Sequence, residues 1–151
     1  MTTYARPYEV KASDLDANGH VHYSAYIDAA AELRYGFFAE RGFSAEAIRQ
    51  MGITPVYTLV VARFLREVRA GETLTITYLL EGLSASGARW KIHHDILKTN
   101  GKKACLLNIE GAVLDLRSRT IVAPPLSFLT VFQEIPRSPA FAAIPERFSQ
   151  A

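Results

Sequence analysis

The sequence predicts an α+β domain of two layers, one long helix with a curved antiparallel sheet wrapped around it. Three observations carry this expectation. Apolar residues recur at three- and four-residue spacing after His22, the period changes to two from Ile53 onward, and glycine-containing turns divide that second region into four runs.

Residues 4–12 read as a short strand, Ser13 to Asn18 as loop, and Gly19 as a permissive backbone position. The long helix is expected to start near His22. Tyr23, Tyr26, Ile27, Ala30, Leu33, Phe37 and Phe38 form its apolar stripe, Asp28, Glu32 and Arg41 fall elsewhere, and Gly42 is its natural stop. Gly36 within it costs about 1 kcal/mol relative to alanine, which predicts close packing of another element there. A second helix is expected over about 44–51.

Four strands follow at about 55–69, 72–83, 88–98 and 103–116, read as an antiparallel meander. Asn100-Gly101 predicts a type I′ hairpin turn, whose two central residues both need positive φ. Leu74, Ile76 and Tyr78 alternate with threonines, and Ala88, Trp90, Ile92 and Ile96 with polar residues, so one face is apolar. His93 and His94 are adjacent on a strand and so face opposite ways. Leu59-Val60-Val61 and Leu106-Leu107 are apolar at both parities, which predicts a homo-oligomer associating through the sheet. The tail from Ala123, with five prolines, is expected to wrap the domain, Ser127 to Phe132 forming a short helix or strand.

Composition narrows the function classes. A chain of 151 residues, 49% of them apolar, suits a single domain spanning 1–151, with its core over about 4–120 and a proline-rich tail over about 123–151. A net charge of +2 with interspersed signs argues against a nucleic-acid partner. The single cysteine, Cys105, reads as a buried hydrophobe, and no segment approaches the ~20 apolar residues that span a bilayer. A cytoplasmic protein with no membrane partner is expected.

Asp14-Leu15-Asp16-Ala17-Asn18-Gly19-His20-Val21-His22-Tyr23 places carboxylates and imidazoles ahead of the long helix. A helix start presents unpaired N–H groups and the positive end of the macrodipole, which together can polarise a carbonyl beside a carboxylate. Asp16 suits that chemistry, or alternatively a helix cap or turn. Asp14 reads as a turn-holding acceptor and His20 as a loop-orienting side chain. Asp14, Asp16, His20 and His22 together lack the pairing of a metal motif, and no metal is expected. Tyr23, Tyr26, Tyr35 and Phe38 read as core or as the wall of an apolar pocket. Glu32 is expected to pair with Arg34 or Arg63.

The motif Asp14-x-Asp16-x-x-Gly19-His20-Val21-x-Tyr23-x-x-Tyr26, followed by Glu32 and Arg34, resembles that of the hotdog-fold thioesterases, specifically the 4-hydroxybenzoyl-CoA thioesterase-like superfamily. Phe64 to Leu74 is similar to the family's strand-turn-strand segment, and the resemblance spans roughly residues 4–120. It implies a hotdog fold and an acyl-CoA thioesterase that needs no cofactor, coenzyme A being part of the substrate. It also implies Asp16 as general base or nucleophile and the Tyr23 backbone N–H as the group polarising the thioester carbonyl. Asp14, Gly19 and His20 would support the loop. His22, where many relatives carry asparagine, and Tyr26 would contact the acyl group. Arg63, Arg66, Arg89 and Lys91 would meet the phosphates of coenzyme A, or else form a solvated strand face. A thioesterase for carrier-protein-bound chains and a non-catalytic acyl-CoA-binding protein are the alternatives.

Overall fold

A computed structural model describes residues 3–146. In chain order it contains β1 (Ala5–Glu9), a 3-10 turn (Ala12–Asp14), α1 (Tyr23–Ala39), α2 (Ala45–Gln50), β2 (Ile53–Phe64), β3 (Thr73–Thr77), β4 (Leu79–Ser84), β5 (Arg89–Leu97), β6 (Lys103–Asp115), α3 (Leu126–Glu134) and β7 (Arg137–Ile144). The expected helix start holds, since His22 is the N-cap of α1.

β5 is central. It pairs antiparallel with β6 on one side and with both β3 and β4 on the other. β2 lies outside β6, β1 outside β3, and β7 runs parallel to β4. On the inner face Leu74, Ile76, Tyr78, Trp90, Ile92 and Ile96 are buried together with Ala25, Tyr26, Ala29, Ala30, Leu33, Phe37 and Phe38 of α1. Phe37 meets Tyr78 edge-on at 5.2 Å, one of the ring contacts that join the two layers.

Several expectations need correction. The four runs do not form a simple meander, because β2 pairs with β6 and not with β3. The run at 55–69 stops as a strand at Phe64, and the buried Val68 beyond it pairs with the loop before α1, its carbonyl accepting the Val21 N–H at 2.8 Å. The run at 72–83 breaks at Tyr78. There the Thr77 carbonyl takes the His94 ring nitrogen at 2.6 Å instead of a ladder partner, and Leu80 N–H then turns to Pro136 O.

The β5–β6 hairpin forms without a type I′ turn. Among the described residues Arg119 is the only non-glycine with positive φ, so Asn100 keeps an ordinary φ while Gly101 sits at 82°. Gly101 N–H donates to Lys98 O, and Lys98 N–H to Lys102 O. This matches a type I turn followed by a left-handed glycine.

A Cβ on Gly36 would meet nothing within 4 Å, so no element packs against it. Tyr23 and Tyr35 are 72% and 61% exposed, outside the buried stripe. Glu32 lies 4.0 Å from Lys11 rather than against either arginine. The tail also goes deeper than a wrapping: Phe128 and Phe132 of α3 join the core against Phe38, and β7 adds an edge strand. Cys105 is buried, and burial raises its thiol to about 12.

Candidate active site

Backbone bonds fold the loop before α1 into a miniature hairpin. Asp16 N–H donates to His20 O at 2.7 Å, Gly19 N–H donates to Asp16 O at 3.0 Å, and Leu15 bridges to Val21. Gly19, at φ 77°, supplies the left-handed residue this tight reversal requires.

Within the hairpin the Asp16 Oδ1 accepts the N–H groups of Asn18 at 2.9 Å and His20 at 3.0 Å. Among the described residues Oδ2 accepts none. The exposed carboxylate titrates below its ordinary value, chiefly because the His20 N–H favours the charged form. One oxygen is anchored while the other is open, on a group that is ionised at neutral pH.

The flanks hold this arrangement. Asp14 Oδ2 accepts the Tyr8 hydroxyl at 2.9 Å and the Lys11 N–H at 2.8 Å, while Asp14 O accepts the His22 N–H at 2.9 Å. Burial, and then the bond to Asp14, push the Tyr8 phenol upward. His20 bridges to Arg69, and its Nε2 lies 3.1 Å from Glu67 Oε2. Arg69 foremost, then His20, hold the Glu67 carboxyl below its usual range.

The N-terminus of α1 is left uncapped. The His22 side chain makes no cap bond; its ring lies 3.3 Å from Ser13 O through Nε2 and 2.9 Å from Ser24 Oγ through Nδ1. A carbonyl only accepts, so these neighbours assign the proton to Nε2 and make Nδ1 the acceptor for Ser24. The Tyr23 N–H, which opens the helix, has no acceptor among the described residues. An unpaired N–H at the positive end of a 17-residue helix is a ready donor to a developing oxyanion.

The remaining predicted site residues disperse. Tyr26 is buried, its ring 5.7 Å from Phe64, and burial raises its hydroxyl to about 12. Arg63 stands across β6 from Asp95, whereas Arg89 stands across β6 from Val56, seven residues earlier on β2. At ~3.3 Å per residue the two arginines are roughly 20 Å apart along the sheet. Arg66 donates to Lys103 O at 2.7 Å, and Lys91 lies 3.9 Å from Glu110. The four basic residues therefore do not converge within one chain. Among the described residues no group of three or more His, Cys, Asp or Glu is placed to hold a metal ion, and no helix is long and apolar enough to cross a membrane.

Comparison with known proteins bears on this geometry. The profile of the Thioesterase-like superfamily matches residues 10–151, the stretch that carries both the Asp16 loop and α1. The chain belongs to the thioesterase-like superfamily. Its fold is the hotdog fold of this superfamily, with the sheet wrapped around α1. Similar solved structures include SAV2348 from Staphylococcus aureus in complex with CoA, at 18% identity and a TM-score of 0.81, covering 95% of this chain and 89% of that one. Slr0204, a 1,4-dihydroxy-2-naphthoyl-CoA thioesterase from Synechocystis, matches at 15% identity and a TM-score of 0.79, covering 90% and 99%. A DHNA-CoA thioesterase from Staphylococcus aureus matches at 14% and 0.79, covering 89% and 91%. Among curated protein sequences none matches.

Sequence reasoning missed several residues that shape this superfamily member. Val68 and Glu67 support the loop from across the chain, and Ser13 and Ser24 fix the His22 ring. Arg34, Tyr57 and His94 form a polar chain running from the core to the surface of β2: Arg34 Nη1 is 2.9 Å from His94 Nε2, and Nη2 donates to the hydroxyl of the exposed Tyr57 at 2.9 Å. The sequence did mark Arg34 within the helix motif, Glu67 and Val68 within the strand-turn-strand segment, and one of the adjacent histidines as pointing inward, but it gave none of them these partners.

Proposed function

We propose that the chain hydrolyses acyl-CoA thioesters in the loop from Asp14 to Tyr23. The observation that carries this reading is the Asp16 carboxylate, held by Oδ1 with Oδ2 open, ahead of a helix whose first N–H lacks an acceptor. Acting as base, Oδ2 takes a proton from water as the water oxygen bonds to the thioester carbon. The Tyr23 N–H stabilises the carbonyl oxygen as it becomes negative. The C–S bond then breaks, the proton on Oδ2 passes to the departing thiolate, and a free acid and coenzyme A leave with Asp16 ionised again. Acting as nucleophile, Oδ2 forms a mixed anhydride that water opens, with the same products. Thioesterase activity and CoA binding among the similar structures support this chemistry.

The functional unit is a homo-oligomer joined through β2. Among the described residues this 12-residue strand pairs with β6 and no other strand, so its other edge carries unpaired backbone groups there. Tyr57, Leu59, Val60, Val61 and Phe64 on it are all exposed. A long apolar edge is a template for a second copy, and a two-fold axis would extend the sheet. Sedimentation equilibrium at micromolar concentration tests this part; a monomer contradicts it.

Thiol release from a panel of short, branched, aromatic, charged and long-chain acyl-CoAs tests the activity. A positioned base contributes about 10²–10⁴-fold and an oxyanion donor about 10²–10³-fold, so turnover on at least one thioester should be well above background. No turnover on the panel, with hydrolysis of an acylated carrier protein, would move the substrate to the carrier-bound class.

A further inference from the structure

A second polar site lies further along α1. Arg34 is eleven residues beyond Tyr23, roughly 16 Å along the helix axis. It lines a cavity of about 290 Å³ between α1, α2, the start of β2 and α3, together with Phe38, Ile48, Thr54, Tyr57 and Trp90. That volume is at the lower end of the ~300–1,000 Å³ common for small-molecule sites.

The charge in this cavity is one-sided. Arg34 is 6% exposed, and a guanidinium keeps its proton in proteins. Both groups it contacts are neutral. His94 is fully buried and titrates at about 3, through desolvation first and the nearby Arg34 charge second. Its Nδ1 donates to the Thr77 carbonyl at 2.6 Å, so Nε2 is the acceptor for Arg34. Tyr57 contributes a hydroxyl oxygen and the face of its ring, 5.1 Å from the guanidinium, and no full negative charge. No carboxylate lies within ion-pair distance of Arg34 among the described residues. Of the two arginines in the lining, Arg49 is paired with Glu46 on the outside of α2, which leaves Arg34 as the cation without a carboxylate among the described residues.

A buried cation without a counter-charge is costly, and an anion that completes its hydrogen bonds offsets the cost. One N–H on each terminal nitrogen of Arg34 is used by His94 and Tyr57, which leaves donors in the planar fork that suits a carboxylate. Trp90, on the same lining, has its indole N–H buried without an acceptor. Apart from Thr54 and the outward-paired Arg49, the rest of the wall is aromatic and aliphatic.

The geometry points to a binding site for a small organic carboxylate with an apolar or aromatic body, its carboxylate on Arg34 and its body against Phe38, Ile48 and Trp90. Two sources present that chemistry: a free acid, and an acyl chain with a carboxylate at its far end. Binding here does not require hydrolysis at Asp16, so either property can fail without the other.

Trp90 is the only tryptophan in the chain and therefore reports on this cavity alone. Titration of the intact protein with benzoate and octanoate, followed by tryptophan emission and by calorimetry, should give saturable binding. Benzamide and octanamide should bind about tenfold or more weakly, the loss expected for charge-assisted bonds. Arg34→Met should abolish the preference for acid over amide. Ala45→Phe, which fills the cavity from the exposed start of α2 without touching Arg34, should weaken the acids in a chain whose circular dichroism is unchanged. Asp16→Asn should leave the titration as it was. In the Asp16→Asn variant, dodecanedioyl-CoA, whose long chain covers most of the roughly 16 Å between Tyr23 and Arg34, binding better than dodecanoyl-CoA, with benzoate and octanoate weaker than both, would make the source an acyl chain; tight binding of the free acids alone would make it a free acid. Equal affinity for acid and amide, or no saturable binding by either method, would overturn the assignment.

Discussion

The two ends of the polar surface on α1 work under opposite physical conditions. At the N-terminal end, a water-exposed carboxylate is held ionised by backbone N–H groups of a ten-residue loop. Further along the helix, Arg34 and His94 are buried side by side, and there desolvation keeps the histidine neutral. The first site costs little to ionise and can exchange protons with water. The second is tied into the core, through stacking of His94 on Tyr78 at 5.2 Å. The first arrangement suits chemistry and the second suits recognition.

Replacing groups at the buried end should therefore disturb stability most. Arg34→Ala leaves His94 Nε2 and the Tyr57 hydroxyl without their donor, and urea unfolding should show a loss of about 2–4 kcal/mol. His94→Gln should cost about 1–3 kcal/mol at neutral pH, and it should also change the pH dependence. Folded His94 titrates at about 3, whereas an unfolded imidazole takes its proton near ~6.5. The unfolded state binds more protons between those values, so the contribution of His94 is full above ~6.5 and declines as pH falls toward 3. Urea midpoints measured across that window should slope less steeply in the variant. Tyr57→Phe keeps the ring over the Arg34 guanidinium and removes one acceptor, a loss of about 1 kcal/mol.

At the exposed end the smallest effect is the most diagnostic. Because the Asp16 pKa is depressed, the acidic limb of kcat/KM should lie below the ~3.9 of a free aspartate. A limb near ~6.5, the ordinary imidazole value, would transfer the proton chemistry to His20 or His22.

The contrast also explains what the sequence could reveal. The loop before α1 was legible because its chemistry is contiguous: Asp14, Asp16, Gly19, His20 and the helix start are set by local turn and dipole physics. The long helix and the alternation on β3 and β5 were legible for the same reason, each having a period that its own residues display. Strand order was not. β2 crosses to β6 instead of turning back on β3, and the chain between β2 and β3 is held by Val68 against Val21, a contact across 47 positions with no local signature. The break at Tyr78 depends likewise on His94 taking the Thr77 carbonyl. The hydrogen-bonded trio of residues 34, 57 and 94 comes together only once α1, β2 and β5 are assembled. A lone arginine on an otherwise apolar helix face is compatible with several partners, and Glu32, its nearest acidic neighbour in sequence, turned to Lys11 instead.

In the proposed reaction Asp16 does two jobs, closing the hairpin with Oδ1 and driving hydrolysis with its charge. Asp16→Asn separates them, because the amide oxygen can still accept from Asn18 and His20 while the base is lost. The deciding measurement is the thiol-release rate of this variant on the best acyl-CoA of the panel, with its melting temperature recorded alongside. A rate lower by about 10²–10⁴-fold at an unchanged melting temperature is the predicted result. An unchanged rate in the folded variant would leave Asp16 as a turn residue only and would contradict the account.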